Sequence, residues 1–355
     1  MKSVNIVLVL ALSVSFASVA FAEETSWKEL NTVAVTLYQQ GRYSEAIKIA
    51  QEALGIAEKT FGVDSSEAAV SSNNLALPYK AQGNYAAAEP LYKRALTIWE
   101  ETLGPAHPHV ATALNNLAEV YRAQGDYAAA ETVHRRALAI REKTLPPDHP
   151  HVAASMNNLA GLYESEGNDA AAESMYKRAL MIAEKSLGPN HHRVATVLNN
   201  LAELYRAQGN FAAAVPLHKR ALAIRQITLG PDHPSVAISL NNLALLYRTH
   251  GDYAAADLLH KLALGVDERA LGKHHPAVAR DLNNLAELYR VQGSYPAAEF
   301  MYNRALAIRE HALGPDHPSV ATVLENMAEL YKATERVGKA ERFEERAKRI
   351  RSRKQ

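Results

Sequence analysis

Pairs of adjacent asparagines are the most regular chemical feature of this sequence. An amide side chain both donates and accepts hydrogen bonds, so it can pair with a peptide backbone whatever the neighbouring side chains are. Asparagine is nevertheless a poor residue for a helix interior, because its amide competes for backbone hydrogen bonds. Six pairs begin 42 residues apart, at Asn73, Asn115, Asn157, Asn199, Asn241 and Asn283. Arginines follow four of these pairs seven residues after the first asparagine, at Arg122, Arg206, Arg248 and Arg290. A guanidinium group adds charge-assisted hydrogen bonds to carboxylates.

The residues around each pair have a helical period. Leu114, Leu117 and Ala118 are spaced as one apolar face of a helix. Gly125 then interrupts the pattern, and Asp126 is a suitable N-cap for a second helix. On a helical wheel Asn115 shares the opposite, polar face with Glu119 and Arg122, whereas Asn116 is turned by about 100° towards a neighbouring unit. We therefore expect the second asparagine of each pair to bridge adjacent units.

The 42-residue period extends over eight units without an insertion or deletion. A single helical hairpin cannot bury its apolar face alone, so adjacent units must stack. The predicted fold is all-α, with two helices in each unit. The units lie near 25–66, 67–108, 109–150, 151–192, 193–234, 235–276, 277–318 and 319–350, the last with a charged C-terminal cap, and 351–355 form a basic tail.

Composition excludes several classes of function. Lys plus Arg total 39 against 38 for Asp plus Glu, so no net positive charge or interleaved aromatic platform favours nucleic-acid binding. The absence of cysteine excludes thiolate metal sites and cysteine nucleophiles. No phosphate-binding loop, HExxH motif or nucleophile elbow occurs, so we predict neither an enzyme nor a cofactor. We interpret the histidines of loops such as LGPDHP as loop and cap residues, and predict no metal site.

The N-terminus has the pattern of a secretory signal peptide. Lys2 precedes an apolar run to about Val19, and Ala20-Phe21-Ala22 forms a small-residue cleavage site before two acidic residues. An uncleaved membrane anchor is the alternative, but Ser13 and Ser15 interrupt the short run. We therefore expect residues 1–22 to be removed, leaving a mature chain without stable membrane insertion. A periplasmic location is favoured, and full secretion stays open.

The repeat resembles a known family. Leu117, Ala118, Tyr121, Gly125, Tyr127, Ala130 and Ala137 occupy the signature positions of the tetratricopeptide repeat. The 42-residue unit LNNLAELYRAQGNFAAAVPLHKRALAIR with its LGPDHP loop is similar to the repeats of kinesin light chains and many bacterial proteins. The resemblance covers about residues 25–350. It implies a right-handed α-solenoid of about eight stacked repeats, in which the first helices line a concave groove that binds protein segments.

The resemblance also implies where a partner would bind. The first asparagine of each pair should point into the groove, together with the four arginines. The candidate peptide-binding residues are Asn73, Asn115, Asn157, Asn199, Asn241, Asn283, Arg122, Arg206, Arg248 and Arg290. Two alternatives stay open. The asparagines could be solvent-tolerant residues copied by duplication, and the chain could be an assembly scaffold that acts through its ends or outer surface.

Three residues depart from the repeat pattern. Pro78 replaces the Val or Leu of other units inside a first helix, and we expect it to kink that helix. Gly161 and Glu164 replace a groove glutamate and a groove arginine, which predicts a smaller and less basic surface in that unit.

Overall fold

A computed structural model of the protein describes residues 24–352, and every regular element in this range is an α-helix. Two compact units divide the chain, Met1–Ile140 and Arg141–Gln355. The first unit contains five helices and most of a sixth: α1 (24–39), α2 (Tyr43–Phe61), α3 (Ser66–Ala81), α4 (Tyr85–Leu103), α5 (Pro108–Gln124) and α6 (Tyr127–Thr144).

The second unit contains five further helix pairs. They are α7 (Pro150–Ser165), α8 (Asp169–Leu187), α9 (His192–Ala207), α10 (Phe211–Leu229), α11 (Pro234–Thr249), α12 (Tyr253–Leu271), α13 (Pro276–Val291), α14 (Tyr295–Leu313), α15 (Pro318–Ala333) and α16 (Val337–Ser352). Within each unit, each helix packs against the next one in the chain. The predicted all-α fold of repeated helix pairs is therefore confirmed.

Side-chain caps explain where the helices begin. Asp126 accepts a hydrogen bond from the backbone N–H of Ala129 at 3.0 Å, as predicted for an N-cap of α6. The first helices use histidine instead. The Nδ1 atom of His233 accepts from the backbone N–H of Ser235 at 3.1 Å, with Pro234 at the first helical position. The same cap occurs at His107, His149, His191, His275 and His317. The interpretation of these loop histidines as caps is confirmed.

The helix pairs are held together by small apolar side chains. Leu114 and Ala118 of α5 are fully buried, as are Ala130 and Ala137 of α6. Leu114 and Ala137 belong to one cluster, which also contains Trp99 of α4. Alanine lets two helices approach closely, while the leucine supplies most of the buried area. The apolar faces predicted from the helical period are those that form the core.

Two backbone positions depart from the repeat. Helix α3 continues through Pro78 to Ala81 without interruption, so Pro78 does not end the helix, and the expected kink stays a prediction. Glu335 has φ of 59° and is the one non-glycine residue with positive φ among residues 24–352. Other units place a glycine there, such as Gly293 with φ of 75°.

The predictions for the two ends have different outcomes. The signal peptide, residues 1–22, lies outside the described residues. The predicted basic tail begins too early, because Arg351 and Ser352 still belong to α16. Arg351 donates two hydrogen bonds to the carboxylate of Glu325, from Nε at 3.0 Å and Nη2 at 2.9 Å, which extends the helix. No helix in the described part of the chain has the length and apolar character needed to span a membrane.

Candidate functional site

The first asparagines of the pairs fall into two structural classes. Asn115, Asn199 and Asn241 are buried, with exposed fractions of 6, 2 and 4%. Asn73, Asn157 and Asn283 are partly exposed. The sequence predicted one common orientation into a groove, and for the three buried asparagines this prediction is wrong.

A histidine holds each buried asparagine. The Oδ1 atom of the asparagine accepts a hydrogen bond from Nδ1 of a fully buried histidine on the second helix of the same pair. The pairs are Asn115 with His134 at 2.9 Å, Asn199 with His218 at 3.0 Å, and Asn241 with His260 at 2.7 Å. The amide nitrogens are also engaged. Asn199 Nδ2 donates to Ser239 Oγ at 3.3 Å, and Asn241 Nδ2 donates to Asp281 Oδ1 at 2.7 Å. These amides therefore connect the helices internally.

The partly exposed asparagines instead accept from the following unit. The second asparagine of the next pair donates its Nδ2 to their Oδ1 atom, at 2.9 Å for Asn116 to Asn73, 2.9 Å for Asn200 to Asn157, and 3.0 Å for Asn326 to Asn283. The bridging role predicted for the second asparagine is confirmed at these positions. It uses the first asparagine as its acceptor, which the sequence analysis did not foresee.

The residue 19 positions after the first asparagine separates the two classes. It is histidine at 134, 218 and 260, where the asparagine is buried, and tyrosine at 92, 176 and 302, where the asparagine is partly exposed. An imidazole offers a ring N–H to the amide oxygen, whereas a tyrosine ring fills the same space with carbon and keeps its hydroxyl at the far end. This alternation is visible in the sequence and was missed.

Three of the four candidate arginines are already paired with a glutamate one turn earlier. Arg122 Nη2 lies 2.8 Å from Glu119, Arg206 Nε lies 2.8 Å from Glu203, and Arg290 Nη2 lies 2.7 Å from Glu287. Although burial alone raises the pKa of Glu119, hydrogen bonds from His134 and the charge of Arg122 lower it to about 2. These glutamates stay ionised and neutralise their arginines.

Arg248 differs from the other three. Leu245 stands where the paired glutamate would be, and the Nη1 atom of Arg248 lies 3.8 Å from the Glu287 carboxylate, which already accepts from Arg290 at 2.7 Å. Its guanidinium is therefore the candidate cation with the weakest neutralisation, and it is the best placed to bind an added carboxylate.

Arg248 borders a cavity of about 390 Å³ in the second unit, which we call the α11–α13 cavity. Its lining consists of Ile238, Asn241, Asn242, Leu245, Arg248, His260, Arg280, Asn283, Asn284, Glu287 and Asn326. Three predicted site residues thus come together here: Asn241, Asn283 and Arg248. The other second-unit candidates, Asn157, Asn199, Arg206 and Arg290, do not line this cavity, and Asn73, Asn115 and Arg122 belong to the first unit.

The cavity presents a neutral imidazole beside a cation. Burial, followed by the charge of Arg248, lowers the pKa of His260 to about 4, so the ring is uncharged near neutral pH. Because Nδ1 donates to Asn241, Nε2 carries the lone pair. With its asparagines, Arg248 and the apolar Ile238 and Leu245, the cavity can bind backbone amides and one carboxylate. No group of three or more His, Asp or Glu residues in the range 24–352 is placed to hold a metal ion.

Comparison with known proteins identifies the fold family. A tetratricopeptide repeat profile matches seven overlapping segments: 24–89, 67–143, 110–185, 151–227, 193–269, 259–311 and 282–353. The chain belongs to the tetratricopeptide repeat family. Repeats of this kind generally serve as protein–protein interaction modules. A search among curated proteins found none that matches.

Solved structures of similar fold include three repeat proteins. BtubC (BKLC) from P. vanneervenii is 25% identical, and the match covers 66% of this chain and 92% of BtubC with a TM-score of 0.51. A Rap protein complexed with competence and sporulation factor is 15% identical over 94% of this chain and 99% of its own, with a TM-score of 0.62. The apo form of RapI is 14% identical over 80 and 97%, with a TM-score of 0.57. At these identities the two Rap structures show a common fold only.

Proposed function

We propose that this protein is an exported, non-enzymatic binding module, and that the α11–α13 cavity holds an extended segment of a partner protein. One observation carries the proposal: Arg248 has lost the glutamate that neutralises its counterparts, and it borders a polar cavity. A partner carboxylate would replace the missing glutamate. Asn283, Asn242 and Asn284 line the same cavity and would pair with the segment's backbone.

The experiment is a selection of random peptides displayed on phage against the folded protein. We expect the recovered peptides to contain an acidic residue at a fixed position, and to be released when Leu245→Glu supplies Arg248 with an internal carboxylate. The matched control is Glu203→Leu, which removes a glutamate from the equivalent position of α9. Recovery that Leu245→Glu leaves unchanged would contradict the proposal.

Export rests on the pattern of residues 1–22, and the periplasm is the favoured location, with secretion as the alternative. Expression in a bacterial host, followed by cell fractionation and N-terminal sequencing, tests this part separately. We expect a soluble envelope protein that begins at Glu23. A cytosolic product that retains Lys2 would contradict it.

A second candidate function is self-assembly through the second helices. Leu258, Leu262 and Phe300 are large apolar side chains with exposed fractions of 60, 49 and 66%, on α12 and α14. Such side chains favour contact with another protein surface. Sedimentation equilibrium of the wild type and of Leu258→Lys with Phe300→Lys measures this directly. An oligomer that these changes dissociate would favour the scaffold function.

A further inference from the structure

Two buried carboxyl groups lie side by side between α12 and α13, next to the α11–α13 cavity. Asp267 and Asp281 are both completely buried. The Nη2 atom of Arg280 donates to Asp267 Oδ2 at 2.9 Å and to Asp281 Oδ1 at 3.0 Å. Asn241 Nδ2 also donates to Asp281 Oδ1, at 2.7 Å. Because one nitrogen reaches both carboxyl groups, the two aspartates are immediate neighbours.

The two remaining carboxyl oxygens lack a donor. Asp267 Oδ1 and Asp281 Oδ2 are both buried, and neither accepts a hydrogen bond. The carboxyl groups are nevertheless within hydrogen-bonding reach of each other. Two ionised carboxylates are both acceptors, so a hydrogen bond between them requires a proton on one. A single guanidinium also leaves a buried pair of carboxylates with a net negative charge.

Equivalent positions elsewhere in the second unit carry different chemistry. At the junction of α10 and α11, Arg225 Nη1 donates to Ser239 Oγ at 2.8 Å. Asp267 and Asp281 stand 42 residues after this arginine and this serine, and Arg280 stands 42 residues after Ile238. The arginine has therefore moved to the neighbouring helix, and two acidic groups occupy the space of an arginine and a hydroxyl.

We propose that Asp267 and Asp281 share one proton near neutral pH, and that loss of this proton weakens the contact between α12 and α13. Arg280 and Asn241 hold the pair and also line the cavity, so binding there would become weaker as the pH rises. This last consequence rests on the proposed function, whereas the shared proton does not.

The surroundings of the pair supply one compensating charge. Arg280 faces it from α13, and α11 contributes the uncharged Asn241. His260 of α12 reaches the pair only through Asn241, and Arg309 of α14 lies within electrostatic range of Arg280. Burial, followed by repulsion from Asp281, raises the pKa of Asp267 to about 7, and burial also raises the pKa of Asp281.

The direct test is a titration of the side-chain carboxyl carbons by NMR, from pH 4 to pH 9, on the folded protein. We expect one carboxyl group of the pair to titrate near neutral pH, and this titration to disappear in Asp267→Asn. If both carboxyl groups titrate below about pH 5, which is near the ordinary range for an aspartate, the shared proton is refuted. No peptide ligand is needed, so this result is independent of the proposed binding function.

The mechanical consequence is tested by urea unfolding at pH 6 and pH 8.5. A raised pKa in the folded state means that stability is lost as the pH rises towards and through that pKa, so the wild type should have a lower urea midpoint at pH 8.5. The matched control combines Asp267→Arg, Arg280→Ile and Asp281→Ser, which recreates the junction of α10 and α11. Its midpoint should change less between the two pH values. An equal change in both proteins would overturn the proposed weakening, even if the NMR titration shows the proton.

Discussion

Replacing a buried first asparagine should cost far more stability than replacing a partly exposed one. Asn199 and Asn157 allow the comparison within one unit. Asn199→Ala leaves the Nδ1 group of His218 without an acceptor, in a side chain with no exposure to solvent. Ser239 loses the asparagine but keeps its hydrogen bond from Arg225 at 2.8 Å.

The expected magnitudes follow from these contacts. An orphaned buried donor costs about 1–3 kcal/mol, and the lost hydrogen bonds add about 1 kcal/mol, so Asn199→Ala should lower the free energy of unfolding by about 2–4 kcal/mol. Asn157→Ala removes one acceptor from Asn200, which is partly exposed and can turn to water. Its cost should be about 0.5–1.5 kcal/mol.

The assay is urea unfolding followed by circular dichroism, with the midpoints of both variants compared with the wild type. Adding His218→Leu to Asn199→Ala removes the orphaned donor, and this double variant should recover part of the lost stability. Equal midpoints for Asn199→Ala and Asn157→Ala, or no recovery in the double variant, would refute the division into two classes. A binding experiment that replaces all six first asparagines would confuse unfolding with loss of a site.

Two further predictions concern single positions. Glu335→Gly should raise the free energy of unfolding by up to about 1 kcal/mol, because glycine relieves the left-handed backbone at φ of 59°, and Gly293→Ala should lower it; thermal melts of both variants check the sign. Because the pKa of His260 is lowered to about 4 from 6.5, the histidine should cost stability as the pH falls from about 6.5 to 4, by about 3 kcal/mol at most. His260→Tyr, which copies Tyr302, should reduce this acid sensitivity in urea titrations, and an unchanged acid sensitivity would assign it to other groups.

The fold was predictable because its signals are local. Leu114, Leu117 and Ala118 lie on one turn-to-turn stripe, and the stripe recurs in the same frame along the chain, so periodicity alone defines the buried face. The caps were predictable for the same reason: Asp126 contacts a backbone N–H only three residues away.

The candidate site was predicted less well, because hydrogen-bond partners are not local. The fate of Asn199 depends on His218, 19 residues later, and on Ser239, 40 residues later on another helix. A helical wheel drawn for one helix contains neither residue. In the same way, Arg248 differs from Arg206 through Leu245, a substitution that is visible in the sequence but gains its meaning from the Glu203–Arg206 contact.

The most direct test of the proposed binding site is the affinity of one selected acidic peptide for three forms of the protein, measured by isothermal titration calorimetry. Leu245→Glu should weaken binding by at least about tenfold, because the new carboxylate competes for Arg248 and a charge-assisted hydrogen bond contributes about 1.5–3 kcal/mol. Glu203→Leu should bind with the affinity of the wild type, since Arg206 does not line the cavity. Wild-type affinity in Leu245→Glu, with a correctly folded protein, would show that the α11–α13 cavity is not the binding site.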